Sequence, residues 1–134
     1  ATLANFALIM KARLYHRRFF KKSTNPNIIE LQEFGTQEFK GIKNFGSLLA
    51  PKDIQSFDDG IFSKNNAQYD LQLKILTSTY SCVVTNPPYM GGKGMNAELA
   101  DFVKNRYPDS KSDLFAVFME RTLELTKQNG FIWQ

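Results

Sequence analysis

The apolar, β-branched run Cys82-Val83-Val84-Thr85 leads without a spacer into Asn86-Pro87-Pro88-Tyr89. No other feature constrains the fold of this chain as much. A short run that is apolar on both faces suits a buried parallel strand. It must end at the prolines, because proline has no N–H to give to a sheet ladder. Helical spacing flanks the run on both sides, with Tyr69, Leu73, Leu76 and Tyr80 before it and Leu99, Phe102 and Val103 after it. Strands alternating with helices predict an α/β layer architecture built on a parallel sheet.

The remainder of the chain fits this frame. Residues 3–19 predict an amphipathic helix through Leu3, Phe6, Ala7, Met10 and Leu14, and Asn25-Pro26 ends it. Ile28, Ile29 and Leu31 predict a short strand over 27–32. Residues 35–66 read as an insertion between core strands, with Phe39, Ile42, Phe45, Leu48 and Leu49 as apolar anchors and Asp58-Asp59-Gly60 as a turn. Residues 96–106 predict a helix stopped by Tyr107-Pro108-Asp109. Ser110 or Ser112 is expected to cap the last helix, whose stripe is Leu114, Phe115, Phe118, Met119, Thr122 and Leu125. Asn129-Gly130 closes that helix, and Phe131 begins a further strand.

Length and composition bound the function. The 134 residues suffice for one modest core. No run of about twenty apolar residues occurs, so no membrane partner is expected. Cys82 is the only cysteine; it is expected to be a small buried hydrophobe in a reduced, cytoplasmic protein. The net charge of +4 permits a nucleic-acid partner without demanding one. His16 has no ligand-spaced partner, so no metal site is expected. Ala1 has no methionine before it, and helical spacing begins at once without a cap, while Phe131-Ile132-Trp133-Gln134 reads as the opening of a strand. These ends are those expected of a chain cut from a longer protein.

Asn86-Pro87-Pro88-Tyr89 carries chemistry as well as punctuation. At average composition the tetrapeptide arises by chance in roughly one chain of this length in a few thousand, which disfavours a mere strand-ending turn. An exocyclic amine is a poor nucleophile, because its lone pair is delocalised into the π-system. To attack a methyl sulfonium its nitrogen must move from sp² towards sp³. The Asn86 side-chain oxygen and the Pro87 carbonyl are two acceptors able to hold the amine N–H bonds out of plane, and two prolines stiffen the loop. Such acceptors strengthen as positive charge builds on nitrogen, so they favour the transition state over the substrate. No strong general base is needed, and Tyr89 offers a face on which an extruded base can stack. The end of a parallel strand is also where open α/β folds place ligands.

Val83-Val84-Thr85-Asn86-Pro87-Pro88-Tyr89 resembles the catalytic motif of N6-adenine DNA methyltransferases. With Met90-Gly91-Gly92-Lys93-Gly94-Met95-Asn96, the stretch from Tyr107 to Phe118, and the helix Phe6-Ala7-Leu8-Ile9-Met10-Lys11-Ala12-Arg13, the chain is similar to the large adenine methyltransferases of BREX phage-defence systems, the PglX type. The resemblance covers about two thirds of the chain and is weakest over 35–66. It implies part of a Rossmann-like, S-adenosylmethionine-dependent methyltransferase sheet with flanking helices and without its first strands. It makes residues 1–134 a partial catalytic domain that acts on double-stranded DNA with a flipped adenine, alongside other defence-system subunits. It assigns Asn86, Pro87, Pro88 and Tyr89 to the target base, and sets Ser112-Asp113-Leu114-Phe115 beside the cofactor and base pockets. Asn86, with Glu33 and Phe34 after the Ile28 strand, would meet the cofactor. The family's glycine loop and acidic cofactor contact have no counterpart in these residues.

Several signals are discounted. Gly91-Gly92-Lys93-Gly94 lacks phosphate-loop spacing and is expected to lend flexibility, with Lys93 a candidate for a DNA phosphate. The basic residues from Lys11 to Lys22 are expected to form a solvated helix face rather than a track for DNA. Trp133 is expected in the core. The motif chemistry equally suits a release-factor glutamine or an RNA amine, and the chain read without the motif's chemistry is a structural or partner-binding module.

Overall fold

A computed structural model of the chain describes residues 2–21, 26–35, 39–50 and 67–134, and the expected Asp58-Asp59-Gly60 turn lies outside them. The chain divides into two compact units, Ala1–Leu31 and Gln32–Gln134.

In the first unit, helix α1 spans Thr2–Tyr15 and a 3₁₀ turn covers Phe19–Lys21. The helix therefore stops a turn before the expected end at Phe19. Leu3, Phe6, Leu8, Met10 and Leu14 are exposed, since no described element of this unit packs on that stripe. Lys11, Arg17, Arg18 and Lys21 are exposed as well. Residues 26–31 form neither helix nor strand, and the Ile28 N–H donates to the Pro26 carbonyl at 3.1 Å.

The second unit carries α2 (Ile42–Phe45), α3 (Ala67–Thr77), β1 (Tyr80–Val84), α4 (Ala97–Arg106), α5 (Leu114–Leu125) and β2 (Thr126–Trp133). The two strands pair in parallel, as the buried-strand reading requires of a mixed α/β chain. Tyr80, expected on a helix, opens β1 instead, and its hydroxyl donates to the Ile75 carbonyl at 2.7 Å. The ladder matches Tyr80 with Thr126, then Cys82 with Phe131 and Val84 with Trp133. Between the first two matches β2 runs three residues longer than β1, so the segment expected as a helix end is a bulge. Gly130 suits it: a Cβ there would sit 2.5 Å from Thr126 Cγ2 and 3.1 Å from the Ser81 carbonyl.

Helices cover only part of this sheet. Cys82 and Val84 are exposed, as are Phe131 and Trp133, against the expectation that Cys82 and Trp133 are core. The run is apolar enough for burial on both faces, but the described residues supply no second layer.

The core lies instead among Leu48, Leu99, Val103, Tyr107, Leu114 and Val117, with Phe45, Met90, Met95, Phe102 and Phe118 packed against it. The apolar anchors expected in residues 39–50 are buried at Phe39, Ile42, Leu48 and Leu49. Phe45 stacks on Phe102 at 4.2 Å, and the buried Tyr107 hydroxyl donates to the Leu48 carbonyl. These contacts tie the segment before α3 to α4. A second cluster joins Phe34, Phe39 and Tyr69 edge to face.

Side chains do work here that the sequence assigned to strands and serines. Gln72, fully buried on α3, accepts from the Gln32 N–H at 2.8 Å and donates to the Gln32 carbonyl at 3.1 Å. One amide thus replaces the strand neighbour expected for this end of 27–32. Asn96 caps α4 through the Leu99 N–H. Asp113, not Ser110 or Ser112, caps α5: its Oδ1 accepts from the Phe115 N–H at 2.9 Å. Ser110 donates to Glu120 instead.

The inward face of α5 is Leu114, Val117, Arg121 and Thr122, whereas Met119 is exposed. Arg121 is only 2 % exposed. Its Nε donates to the Ser47 carbonyl at 2.9 Å, and Nη2 to the Leu49 and Leu76 carbonyls at 2.7 and 2.8 Å. Its Nη1 meets Glu124 at 3.0 Å. A buried cation is tolerable only when saturated with acceptors in this way. The pin holds α5, the end of α3 and the 47–49 turn together.

Candidate active site

The site begins where the ladder runs out. The Thr85 N–H still donates to the Trp133 carbonyl at 3.0 Å, one residue past β1. Pro87 cannot continue, so the chain leaves the sheet at Asn86. Asn86 thus lies just past the C-terminal end of a parallel strand, the usual ligand end of an α/β sheet. Pro87 is buried and Asn86, Pro88 and Tyr89 are exposed. The Asn86 carboxamide makes no hydrogen bond to another described residue, so its oxygen is free to accept.

The loop after the motif is held, not loose. The Gly92 N–H donates to the Ser112 carbonyl and the Leu114 N–H to the Met90 carbonyl, both at 2.9 Å, around an antiparallel pairing of Gly91 with Asp113. The Met90 side chain packs against the core. Gly94 is closely packed, since a Cβ there would lie 2.7 Å from Met90 Cγ, whereas one on Gly91 or Gly92 would meet the Ser112 carbonyl only at 3.9 or 3.6 Å. The 3₁₀ turn Gly92–Gly94 leaves Lys93 in solvent. The clasp brings the Tyr89 ring parallel to Phe115, at 5.9 Å between centroids and 9° between planes.

Two other expected residues stand apart from this group. Glu33 Oε1 accepts from the Gly41 N–H at 3.1 Å, at the start of α2. Phe34 belongs to the ring cluster with Phe39 and Tyr69. Both have local folding roles that the sequence did not disclose. For a nucleoside-type methyl donor, the open Asn86 amide at the strand end is a suitable neighbour, and Glu33, exposed, and Phe34, half-buried, keep accessible surface beside these contacts. Among the described residues, no group of His, Cys, Asp and Glu could hold a metal ion, and no helix is long and apolar enough to cross a membrane.

A cleft of about 310 Å³ lies elsewhere, lined by Ala50, Leu76, Thr77, Arg106, Arg121, Glu124 and Leu125. These include the residues leading into both strands, at the opposite end of the sheet from Asn86. Its cations serve structure: Arg121 is the pin described above, and Arg106 pairs with Glu124 at 3.0 Å.

Sequence reasoning missed Phe115 as the partner of Tyr89, Met90 as the loop anchor and Arg121 as a core group. A usable signal existed only for Arg121. Leu114, Val117 and Arg121 fall at i, i+3 and i+7, the spacing of one helix face, but an arginine is ordinarily counted as polar surface.

Comparison with known proteins bears on this arrangement. Residues 1–133 match the Eco57I restriction-modification methylase family. The adenine-specific methyltransferase PglX of Lacticaseibacillus casei (strain Zhang) is 36% identical over 172 residues, covering 96% of this chain and 14% of that protein. The adenine-specific methyltransferase BrxX of Escherichia coli O9:H4 (strain HS) is 59% identical over 63 residues, covering 47% of this chain and 5% of that protein. The chain thus spans a small part of the length of these relatives. The resemblance carried by the motif and its flanks is borne out, and the chain belongs to the Eco57I restriction-modification methylase family.

Proposed function

We propose that this chain forms the target-base side of the active site of a DNA methyltransferase that modifies the N6 amine of adenine. One observation supports this above the rest. A free Asn86 amide and an exposed Tyr89 ring stand together at the C-terminal end of a parallel strand, on a loop clasped to the start of α5.

In this reading the Asn86 oxygen and the Pro87 carbonyl accept the two N–H bonds of the target amine and favour its pyramidal form. The stiffness of Pro87-Pro88 keeps these acceptors from reorganising as charge develops. Tyr89 stacks on the extruded adenine. The family resemblance implies S-adenosylmethionine, which when bound supplies an electrophilic methyl group. Asn86 would border it, and Glu33 and Phe34 are proposed for its adenosine end, within the Rossmann-like sheet that the family would build around β1 and β2. Lys93 is proposed to meet a phosphate of the duplex. Restriction-modification or phage defence, with other subunits of such a system, is the setting proposed from the family's description and the BREX resemblance.

The test uses the intact methyltransferase that contains this chain. Duplex DNA is incubated with labelled S-adenosylmethionine, digested, and analysed by mass spectrometry for N6-methyladenine. Label on adenine N6 that disappears with Asn86→Ala supports the proposal. Label that goes to an RNA or a protein glutamine, with DNA unmodified, refutes it.

A further inference from the structure

We propose that Phe115 is a positioning residue for Tyr89, holding the tyrosine ring in the plane on which the target base stacks. The inference rests on the reading of Tyr89 as the base platform. The two rings lie within 9° of parallel at 5.9 Å, an offset stack. Tyr89 is 90 % exposed, so Phe115 backs one side and the rest of the ring is open.

An exposed tyrosine on a loop would otherwise sample several rotamers, and ordering it when the base arrives opposes binding. Here the backbone on both sides of the ring pair is already held. Met90, which follows Tyr89, accepts from the N–H of Leu114, which precedes Phe115. The Phe115 N–H is itself fixed on Asp113 Oδ1 at 2.9 Å. The backbones that carry the two rings are therefore clamped one residue from each ring.

The placement of Phe115 argues that this is its task. The buried face of α5 runs through Leu114 and Val117, and the core cluster they join includes Phe118 but not Phe115. A large aromatic residue thus stands half-buried at the first turn of a helix, with Tyr89 as its ring partner. Removing its ring should loosen Tyr89 and leave the core intact.

The experiment measures single-turnover methylation, by the intact methyltransferase, of a duplex carrying the enzyme's own target site. Phe115→Leu should slow the reaction between about twofold and tenfold, the range expected of one aromatic pair. The KM for S-adenosylmethionine should stay unchanged, and Phe115→Tyr should restore the rate. Placed in a Tyr89→Ala background, Phe115→Leu should cause no further loss, because its effect passes through Tyr89. An equal loss in both backgrounds, an unchanged rate, or a loss confined to cofactor KM overturns the inference. If Phe115→Leu is insoluble, Phe115→Met places an unbranched, adaptable apolar side chain there without the ring and is read by the same criteria. If Tyr89→Ala alone leaves the rate unaltered, the platform reading itself falls, and the role of Phe115 falls with it. A slow Tyr89→Ala beside a normal Phe115→Leu removes only the latter.

Discussion

At Asn86 one side-chain oxygen stands exposed at a strand end without a partner among the described residues. A polar group left so free can be removed without unfolding anything, so its loss reports on chemistry. Asn86→Ala is expected to lower methyl transfer by about 100- to 1000-fold, the usual cost of one preorganised acceptor or donor in a transition state. DNA affinity should stay within about twofold, since no phosphate contact is lost. Rapid-quench methylation and fluorescence-anisotropy binding check the two halves, and high residual activity would show that Asn86 does not hold the amine. Lys93, also in solvent, predicts the converse. Lys93→Ala should weaken DNA binding across all sequences and reduce the slope of log K against log salt by about one. A slope that does not move would take Lys93 off the phosphate backbone.

Among the elements, α5 carries the strongest demand. Arg121 donates to three backbone carbonyls from two other segments, and Glu124 completes its shell. Replacing it by methionine keeps much of the volume and leaves those carbonyls without donors. At about 1 kcal/mol for each lost hydrogen bond, Arg121→Met should cost about 3 kcal/mol. The ion pair itself adds little, because Glu124 is 30% exposed and also pairs with Arg106. A urea titration of the intact protein that shows less than about 1 kcal/mol lost would mean that water replaces the guanidinium. The same helix shows what was legible beforehand. Its existence follows from 3.6-residue spacing, but its inward face is turned from the expected stripe: Val117 and Arg121 are buried and Met119 is exposed. Its cap does not follow either, since Ser110, Ser112 and Asp113 are all competent residues. Only the path of the clasped loop puts Asp113 at the start of the first turn.

For the molecule as a whole, the two strands expose Val84, Phe131 and Trp133, and the Asn86 site is open. A small-ligand site needs enclosure on most of its surface. The 134-residue chain by itself is therefore expected to bind S-adenosylmethionine no tighter than millimolar. An exposed parallel edge also invites pairing, so concentration-dependent self-association should accompany that weakness. Isothermal titration and sedimentation velocity check both, and micromolar binding would mean that the described residues already enclose the cofactor.

The parts of this protein that its sequence determines alone are those decided within a few residues. Pro87 ends β1 because a ring replaces its N–H. Asn96 caps α4 because its oxygen reaches the Leu99 N–H. The parallel pairing and the motif at the strand end follow from such local rules and from the strand's place between helices. The tertiary structure decides what depends on distant groups meeting. Gln72 satisfies a backbone 40 residues away, and Arg121 reaches carbonyls 45 and 74 residues away. The turn of Tyr89 onto Phe115 requires the clasp between Met90 and Leu114. Burial is settled at the same level. Cys82 and Trp133 are hydrophobic enough for a core, but hydrophobicity states only a preference, and a residue is buried only where another layer covers it.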